Sequence, residues 1–319
     1  MEILDIIAIR RKGIAIALRL LLLLAVPLAT ATVNATPLYV GTSNSVREYD
    51  ASTGNLINGS FITGLHLADG LLLAGGNLLV ASGGIGGNEI GEYNAATGAA
   101  INANFIAGLN GPESMVLSGN NLFVALQGDG AVGEYNATTG ATINSSLISG
   151  FTDPIGLAIL GNVLYVSDEG ANTVTTYNAT TGNPINPFFI TGLSNPRGIL
   201  LSGTKLYVAN NFNGHIGEYD AITGAAINAD LITVGTGGAL GLLGNDLFVA
   251  DASGSGSVGV YDATSGAAIN STFITGFIPY SLAATPTPEP STWTMVAALG
   301  VAVLLRCGVA KLLLTRTGH

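Results

Sequence analysis

The segment Tyr135-Asn136-Ala137-Thr138-Thr139-Gly140 recurs with small changes along most of this chain. It appears as YDASTG at residues 49–54 and as YDATSG at residues 261–266. The opening tyrosines are spaced by 44 residues once and then by 42 residues four times; they are Tyr49, Tyr93, Tyr135, Tyr177, Tyr219 and Tyr261. Asn or Asp followed by Thr-Gly is typical of a tight turn, in which the glycine takes a positive φ. The chain therefore contains a repeat of about 42 residues.

Each repeat predicts four short strands. In the repeat around Tyr177 they are GLAI at residues 156–159, VLYV at 163–166, TVTTY at 173–177 and an apolar segment at 185–190. Four strands in about 42 residues is the period of a propeller blade, and so small a sheet must stack on neighbours to bury its faces. The 45 glycines and the charged fraction of only 9% also favour short strands over helices. We predict an all-β, six-bladed β-propeller.

The two ends of the repeat region predict how the ring closes. The first repeat begins at PLYV, residues 37–40, and lacks the innermost strand that the others have. The last repeat continues into IPYSL at residues 278–282, which matches the missing strand. We expect this C-terminal segment to complete the first blade and leave no open sheet edge. The propeller is thereby assigned to residues 32–285.

The charge of the propeller region limits its partners. The whole chain has a formal charge of −10, but residues 32–285 contain 3 Lys and Arg against 17 Asp and Glu, which gives 3 − 17 = −14. A body of this charge repels nucleic acid and anionic membrane surfaces, so we predict no nucleic-acid partner. Metal ions and neutral carbohydrates are favoured instead. The single cysteine, Cys307, excludes an intramolecular disulfide.

The N-terminus has the pattern of an export signal. Arg10-Arg11-Lys12 is followed by the apolar run LLLLLAV at residues 20–26 and by Ala29-Thr30-Ala31. Basic, apolar and small-residue segments in this order indicate a secretory signal peptide, assigned to residues 1–31 and removed by signal peptidase. Ordinary export is favoured over the twin-arginine route, because an Arg pair alone is a weak pattern.

The C-terminus, residues 286–319, predicts a membrane-spanning tail after a stiff spacer. Prolines alternate with other residues at 286–290, which favours extended backbone. Thirteen uncharged residues follow at 293–305, about 20 Å of helix. The helix reaches membrane thickness at residue 314 if two cations extend toward the cytoplasm. The cations that set a C-inside orientation are Arg306, Lys311 and Arg316.

The tail resembles the PEP-CTERM sorting domain of Gram-negative bacteria. The resemblance is carried by Pro288-Glu289-Pro290-Ser291-Thr292-Trp293 together with the apolar helix and the basic end. It implies an exosortase-type processing protease, which recognises the Pro-Glu-Pro motif of a membrane-anchored precursor and removes the membrane helix. The protein is then released or transferred to the cell surface or extracellular matrix. It also implies an association with exopolysaccharide. The alternative is a plain C-terminal membrane anchor.

The repeat resembles NHL-type and lactonase-like propellers over about residues 37–285. The resemblance is carried by DPIGL at residues 153–157 followed by VLYVSD at 163–168. It implies the propeller fold, whereas propellers have many unrelated activities. Lactonase-like relatives use a Glu, Asn and Asp set to bind a metal.

Two repeat positions carry side chains suited to a ligand. Asp69, Glu113 and Arg197 each lie twenty residues after an opening tyrosine, before the innermost strand. The position after the second strand holds Asp168, Asn210 and Asp251. If both positions open on one face, a ring of oxygen ligands for calcium or another divalent cation is formed by Asp69, Glu113, Asp168, Asn210 and Asp251. The competing interpretation, which we favour, is that these are turn residues brought into register by the repeat.

Nucleophilic catalysis has less support. His66 and His215 lie within the propeller region, but spacing specifies no Glu or Tyr partner for either. The preferred function is thus a non-enzymatic binding or structural module at the cell surface. The alternative is a metal-dependent lactonase-like hydrolase or lyase that uses the acidic loops at the channel.

Overall fold

A computed structural model describes residues 35–84 and 87–284. The predicted signal peptide and sorting tail lie outside the described residues. The described residues form six four-stranded antiparallel sheets, arranged as the blades of a propeller. The prediction of an all-β, six-bladed propeller is confirmed.

The strands follow the repeat. The first blade contains β1 (Pro37–Gly41), β2 (Ser45–Asp50) and β3 (Leu56–Thr63). The second contains β4 (Ala68–Ala74), β5 (Asn77–Ser82), β6 (Glu89–Asn94) and β7 (Ala100–Ala107). The third contains β8 (Pro112–Ser118), β9 (Asn121–Leu126), β10 (Ala131–Asn136) and β11 (Thr142–Ser149), with a 3-10 turn at Gln127–Asp129.

The remaining blades repeat the pattern. The fourth contains β12 (Pro154–Leu160), β13 (Val163–Asp168), β14 (Thr173–Asn178) and β15 (Pro184–Ile190). The fifth contains β16 (Pro196–Ser202), β17 (Lys205–Asn210), β18 (His215–Asp220) and β19 (Ala226–Thr233). The sixth contains β20 (Gly237–Leu243), β21 (Asp246–Asp251), β22 (Ser257–Asp262) and β23 (Ala268–Thr275). The last strand, β24 (Ser281–Ala284), belongs to the first blade.

The second strand of each blade lies in the core. These strands read as continuous apolar runs such as Leu164-Tyr165-Val166, because both faces of the blade are covered by neighbouring blades. Apolar clusters form between adjacent blades; one of them joins Phe123 of the third blade to Leu164 of the fourth. Buried tyrosine hydroxyls also link blades, and Tyr207 donates to the carbonyl of Ala263 at 2.8 Å. Burial between blades is therefore the main source of stability.

The repeated turn explains why one short segment determines the architecture. The side chain of Asp50 accepts hydrogen bonds from the amides of Ser52 and Thr53, which holds the turn. Gly98 of the next turn has a φ of 70°, and a Cβ placed on it would lie 2.1 Å from the carbonyl oxygen of Phe61 in the preceding blade. The glycine is needed both for its conformation and for close contact between blades.

The ring closes as the sequence predicts. β24 pairs antiparallel with β1, with Leu282 opposite Val40. The hydroxyl of Ser281 donates to the carbonyl of Ala68 in the second blade at 2.5 Å, so the last strand contacts the neighbouring blade as well as its own. The strand begins at Ser281, three residues after the start of the segment that predicted it. The amide of Tyr280, directly before the strand, donates a hydrogen bond to the carbonyl of Gly41.

The outer strands are not regular edges. In each one an Asn side chain accepts a hydrogen bond from the amide two residues later, as Asn186 does from Phe188. The pairing register shifts at this point in every blade; in the fourth blade the shift lies between Val174 and Thr176. Such bulges interrupt an edge and oppose strand addition from another chain.

Candidate functional site

The innermost strands surround a central channel. β24, β4, β8, β12, β16 and β20 are neighbours in this order around the ring. They enclose a cavity of about 360 Å³. Ligand pockets in proteins commonly begin at this size, and the channel is therefore the candidate site.

Small residues allow the innermost strands to approach one another. A Cβ on Gly156 would lie 2.2 Å from the carbonyl oxygen of Arg197 in the next blade. A Cβ on Gly70 would lie 2.1 Å from the carbonyl oxygen of Glu113. Gly70 directly follows Asp69, and Gly156 directly follows Ile155, which also lines the cavity. Close packing of the backbone at these glycines therefore fixes the strands that carry the side chains of the channel.

The wall of the cavity is apolar. Each innermost strand contributes a large aliphatic side chain at one equivalent position; these are Leu71, Met115, Leu157, Ile199, Leu240 and Leu282. They alternate along the strands with the small residues that contact neighbouring blades. A ligand inside the channel would therefore contact hydrocarbon on all sides.

The mouth of the channel is charged. Each innermost strand, or the loop just before it, also contributes one residue at the mouth, directly before the small residue. These residues line the same cavity; they are Asp69, Glu113, Ile155, Arg197, Gly238 and Tyr280. Asp69 and Glu113 belong to adjacent blades, whereas Arg197 comes from the blade opposite Asp69. Two carboxyl groups and one guanidinium thus meet at the rim of an apolar cavity.

The carboxyl group of Glu113 lies in an unusual environment. The residue is only 8% exposed, and within the described residues its carboxyl has no hydrogen bond or ion pair. Burial and the negative charge of Asp69 raise the pKa of Glu113 to about 8, against a smaller opposite effect of Arg197. Glu113 is therefore mostly protonated at neutral pH.

Asp69 is perturbed in the same direction for a similar reason. Burial raises its pKa to about 6, while the charge of Arg197 and the amide of Gly83 act to lower it. Two neighbouring carboxyl groups whose pKa values are separated in this way are typical of binding and catalytic sites.

Arg197 is held by a side chain that the sequence analysis did not single out. Its Nε lies 3.5 Å from Oε2 of Glu169, and the side chain of Asn195 donates to Oε1 of the same glutamate at 3.2 Å. Glu169 directly follows Asp168, which occupies a repeat position that the sequence analysis named, so the sequence pointed to this loop. Its role depends on a contact between the fourth and fifth blades that spacing does not show.

The other three predicted oxygen ligands bind backbone amides instead. Asp168 accepts hydrogen bonds from the amides of Thr152 and Asp153 at 3.0 and 2.9 Å. Asn210 accepts from the amide of Ser194 at 3.0 Å, and Asp251 accepts from Gly235 and Thr236 at 2.9 Å each. All three hold the loop that leads into the innermost strand of their own blade.

The pKa of Asp251 agrees with this structural role. Burial acts to raise it, but hydrogen bonds from Ser253, Gly235 and Thr236 outweigh burial and lower it. Ser82 does the same in the second blade, where its hydroxyl accepts from the amide of His66 at 3.1 Å. Of the five predicted ligands, the structure thus brings Asp69 and Glu113 to the cavity. The side chains of Asp168, Asn210 and Asp251 instead bind the amides of loops.

Neither histidine lies on the cavity wall. Nδ1 of His215 is 2.6 Å from a carboxyl oxygen of Asp230 on the outermost strand of the fifth blade. Among residues 35–84 and 87–284, no group of three or more His, Cys, Asp and Glu side chains is arranged to hold a metal ion. In the same part of the chain, no helix has the length and hydropathy needed to span a membrane.

Comparisons with known proteins identify the fold but no family. The chain matches no protein-family model and no curated protein. A chain in the crystal structure of a nidogen–laminin complex is 14% identical, with a TM-score of 0.64 over 78% of this chain and 98% of that one. At this identity the match shows the propeller fold alone.

Two further solved structures are similar at lower scores. The computationally designed Ika8 protein is 15% identical, with a TM-score of 0.48 over 77% of this chain and 74% of that one. The hydrazine synthase of Kuenenia stuttgartiensis is 23% identical, with a TM-score of 0.46 over 53% of this chain and 51% of that one.

Proposed function

We propose that this protein is an exported binding module of the cell surface or extracellular matrix, whose propeller binds a small ligand in its central channel. The observation that carries the proposal is the cavity of about 360 Å³, which has an apolar wall and a mouth with Asp69, Glu113 and Arg197. A preformed apolar cavity with a few convergent polar groups is the usual form of a small-molecule site.

Export and sorting form the second part of the proposal. The sequence pattern at residues 1–31, which predicts a signal peptide, and the Pro288-Glu289-Pro290 tail support it. The closure strand ends at Ala284, directly before the spacer. Cleavage beyond Ala284 would therefore remove no strand from the propeller. The permanently anchored form, in which the tail is retained, is the alternative.

The channel proposal is tested with a neutral apolar fluorophore, N-phenyl-1-naphthylamine. We expect fluorescence enhancement on binding to the purified chain, and loss of this signal in Met115→Trp, because the larger side chain fills the cavity. Phe212→Trp is the matched control, since Phe212 is 82% exposed and lies outside the cavity. Both variants are first checked for a cooperative thermal transition. Equal binding by both variants would place the probe elsewhere and contradict the proposal.

A second candidate function is a metal-dependent hydrolase or lyase of the lactonase-like kind. It is favoured by the adjacent carboxyl groups of Asp69 and Glu113 and by their raised pKa values. Calorimetry of the purified chain with millimolar calcium separates the two functions. Calcium binding that is lost in both Asp69→Asn and Glu113→Gln supports the enzyme, and the absence of binding supports the module.

A further inference from the structure

The mouth of the channel contains a buried acid without a partner. Glu113 is more than nine-tenths buried and lines the cavity, and within the described residues no donor contacts its carboxyl. A largely buried carboxylate is costly unless a cation or hydrogen-bond donors accompany it, and the carboxyl of Glu113 opens on the cavity. A ligand in the cavity is the natural source of such a partner.

The charges around Glu113 favour a positive ligand. Asp69, Asp153 and Glu169 each act on it with a negative charge, and within residues 35–84 and 87–284 Arg197 is the cation that acts on it. Arg197 is itself paired with Glu169 at 3.5 Å, which neutralises part of its field. The mouth therefore carries an excess of negative charge in a region of low dielectric, where charge interactions are strong.

The apolar wall below the mouth favours a ligand that has an apolar group. The side chains in contact with the cavity beneath Glu113 include Met115, Leu157 and Leu240. A hydrated metal ion gains nothing from such a wall, and calcium prefers six to eight oxygen ligands. An anionic head is repelled by the carboxyl groups at the mouth.

We propose, extending the channel-binding function above, that the channel selects a primary ammonium group attached to an apolar chain. The ammonium lies between the carboxyl groups of Glu113 and Asp69, and the chain extends along the aliphatic wall. The three N–H donors of an ammonium suit two carboxyl groups from adjacent blades.

Binding is coupled to a proton. The charged groups that act on Glu113 from the surrounding strands and loops are Asp69, Asp153, Glu169 and Arg197. Tyr280 lines the same cavity. Without ligand, the pKa of Glu113 is raised to about 8, so most molecules carry its proton at pH 7. An ammonium ligand stabilises the carboxylate, and the proton is released to solvent. Affinity then rises with pH up to about pH 8 and falls when the ligand itself deprotonates near pH 10.

The test is calorimetry of the purified chain with hexylammonium, 1-hexanol and hexanoate at pH 8. If the tail is retained, the chain is held in lipid nanodiscs and titrations of empty nanodiscs are subtracted. We expect hexylammonium to bind about tenfold or more tightly than 1-hexanol, and hexanoate to bind most weakly. At pH 7, buffers of different ionisation enthalpy should report release of most of one proton.

Two variants separate the inference from the function on which it rests. Glu113→Gln should bring the affinity for hexylammonium close to that for 1-hexanol and abolish proton release; Asp69→Asn is the second variant should the first fail to fold. Equal binding of hexylammonium and 1-hexanol by the unmodified chain overturns the ammonium proposal and leaves channel binding intact. Binding of none of the three probes overturns both. Calcium binding lost in Glu113→Gln, without competition from hexylammonium, also overturns the ammonium proposal.

Discussion

Removal of residues 278–284 is expected to abolish cooperative unfolding of the propeller. β24 pairs with β1, and its Leu282 and Ala283 belong to two different apolar clusters between blades. Loss of a buried leucine alone costs about 2–5 kcal/mol, and the four-residue pairing and the bond from Ser281 to Ala68 are lost with it. A domain has a total stability of about 5–15 kcal/mol, so the opened ring should have little left.

The measurement is thermal unfolding of fragments 32–277 and 32–285 by circular dichroism. The longer fragment is the matched control, because it lacks the whole tail but keeps β24. We expect it to show one sharp transition and the shorter fragment to show none, or one lowered by about 20 °C or more. Transitions at the same temperature in both fragments would mean that the ring does not depend on its closure strand.

Glu113→Gln is expected to remove most of the pH dependence of stability between pH 5 and pH 8. In the folded state, burial and the charge of Asp69 raise the pKa of Glu113 from its ordinary value of 4.5 to about 8. The folded state therefore binds a proton that the unfolded state has lost across this window, and the free energy of unfolding falls as pH rises. The loss is on the order of 4 kcal/mol over the full window.

The measurement is urea unfolding of fragment 32–285 and its variants at pH 5, 7 and 9. The variant and the original sequence should be similarly stable at pH 5, while Glu113→Gln should be the more stable by a few kcal/mol at pH 9. Glu89→Gln, on the third strand of the second blade and outside the cavity, is the control and should keep the original pH dependence. If stability changed with pH in the same way in all three proteins, the raised pKa of Glu113 would be contradicted.

Much of the fold could be predicted from the sequence because one period organises it. The spacing of the tyrosines determines the number of blades, and the unmatched segment at residues 278–282 predicts the closure. Strand ends were harder: the predicted strand at residues 156–159 is in fact Pro154–Leu160. Its first residues pair with the second strand across a bulge, and an apolar run does not reveal such a pairing.

The candidate site could be predicted only in part. The repeat places Asp69, Glu113 and Arg197 at one position, and the structure places all three on the cavity. The same reasoning grouped Asp168 with them, although Asp168 binds backbone amides of its own blade. Both kinds of position hold Asp, and the sequence does not distinguish a carboxyl group that meets amides from one that meets a cavity. That difference depends on the conformation of the neighbouring loop, which for Asp168 presents the amides of Thr152 and Asp153.

The burial of Glu113 was likewise not visible in the sequence. The residue is flanked by Pro112 and Ser114, a context equally suited to a solvent-facing turn. Its environment is set by neighbouring blades, distant in the chain, whose carboxyl and aliphatic groups converge at the channel. Sequence periodicity predicts which residues are equivalent, whereas the chemistry of this site depends on how the equivalent residues differ.

We propose that this propeller is exported and that its tail is a sorting signal removed after delivery. The direct measurement is mass spectrometry of the protein recovered from the cell exterior, with and without the processing protease in the producing strain. With the protease, we expect peptides to cover the propeller through Ala284 and to end before Trp293. Without it, peptides beyond Trp293 should appear in the membrane fraction. Surface protein that retains residues beyond Trp293 in both strains would contradict the claim and identify the tail as a permanent anchor.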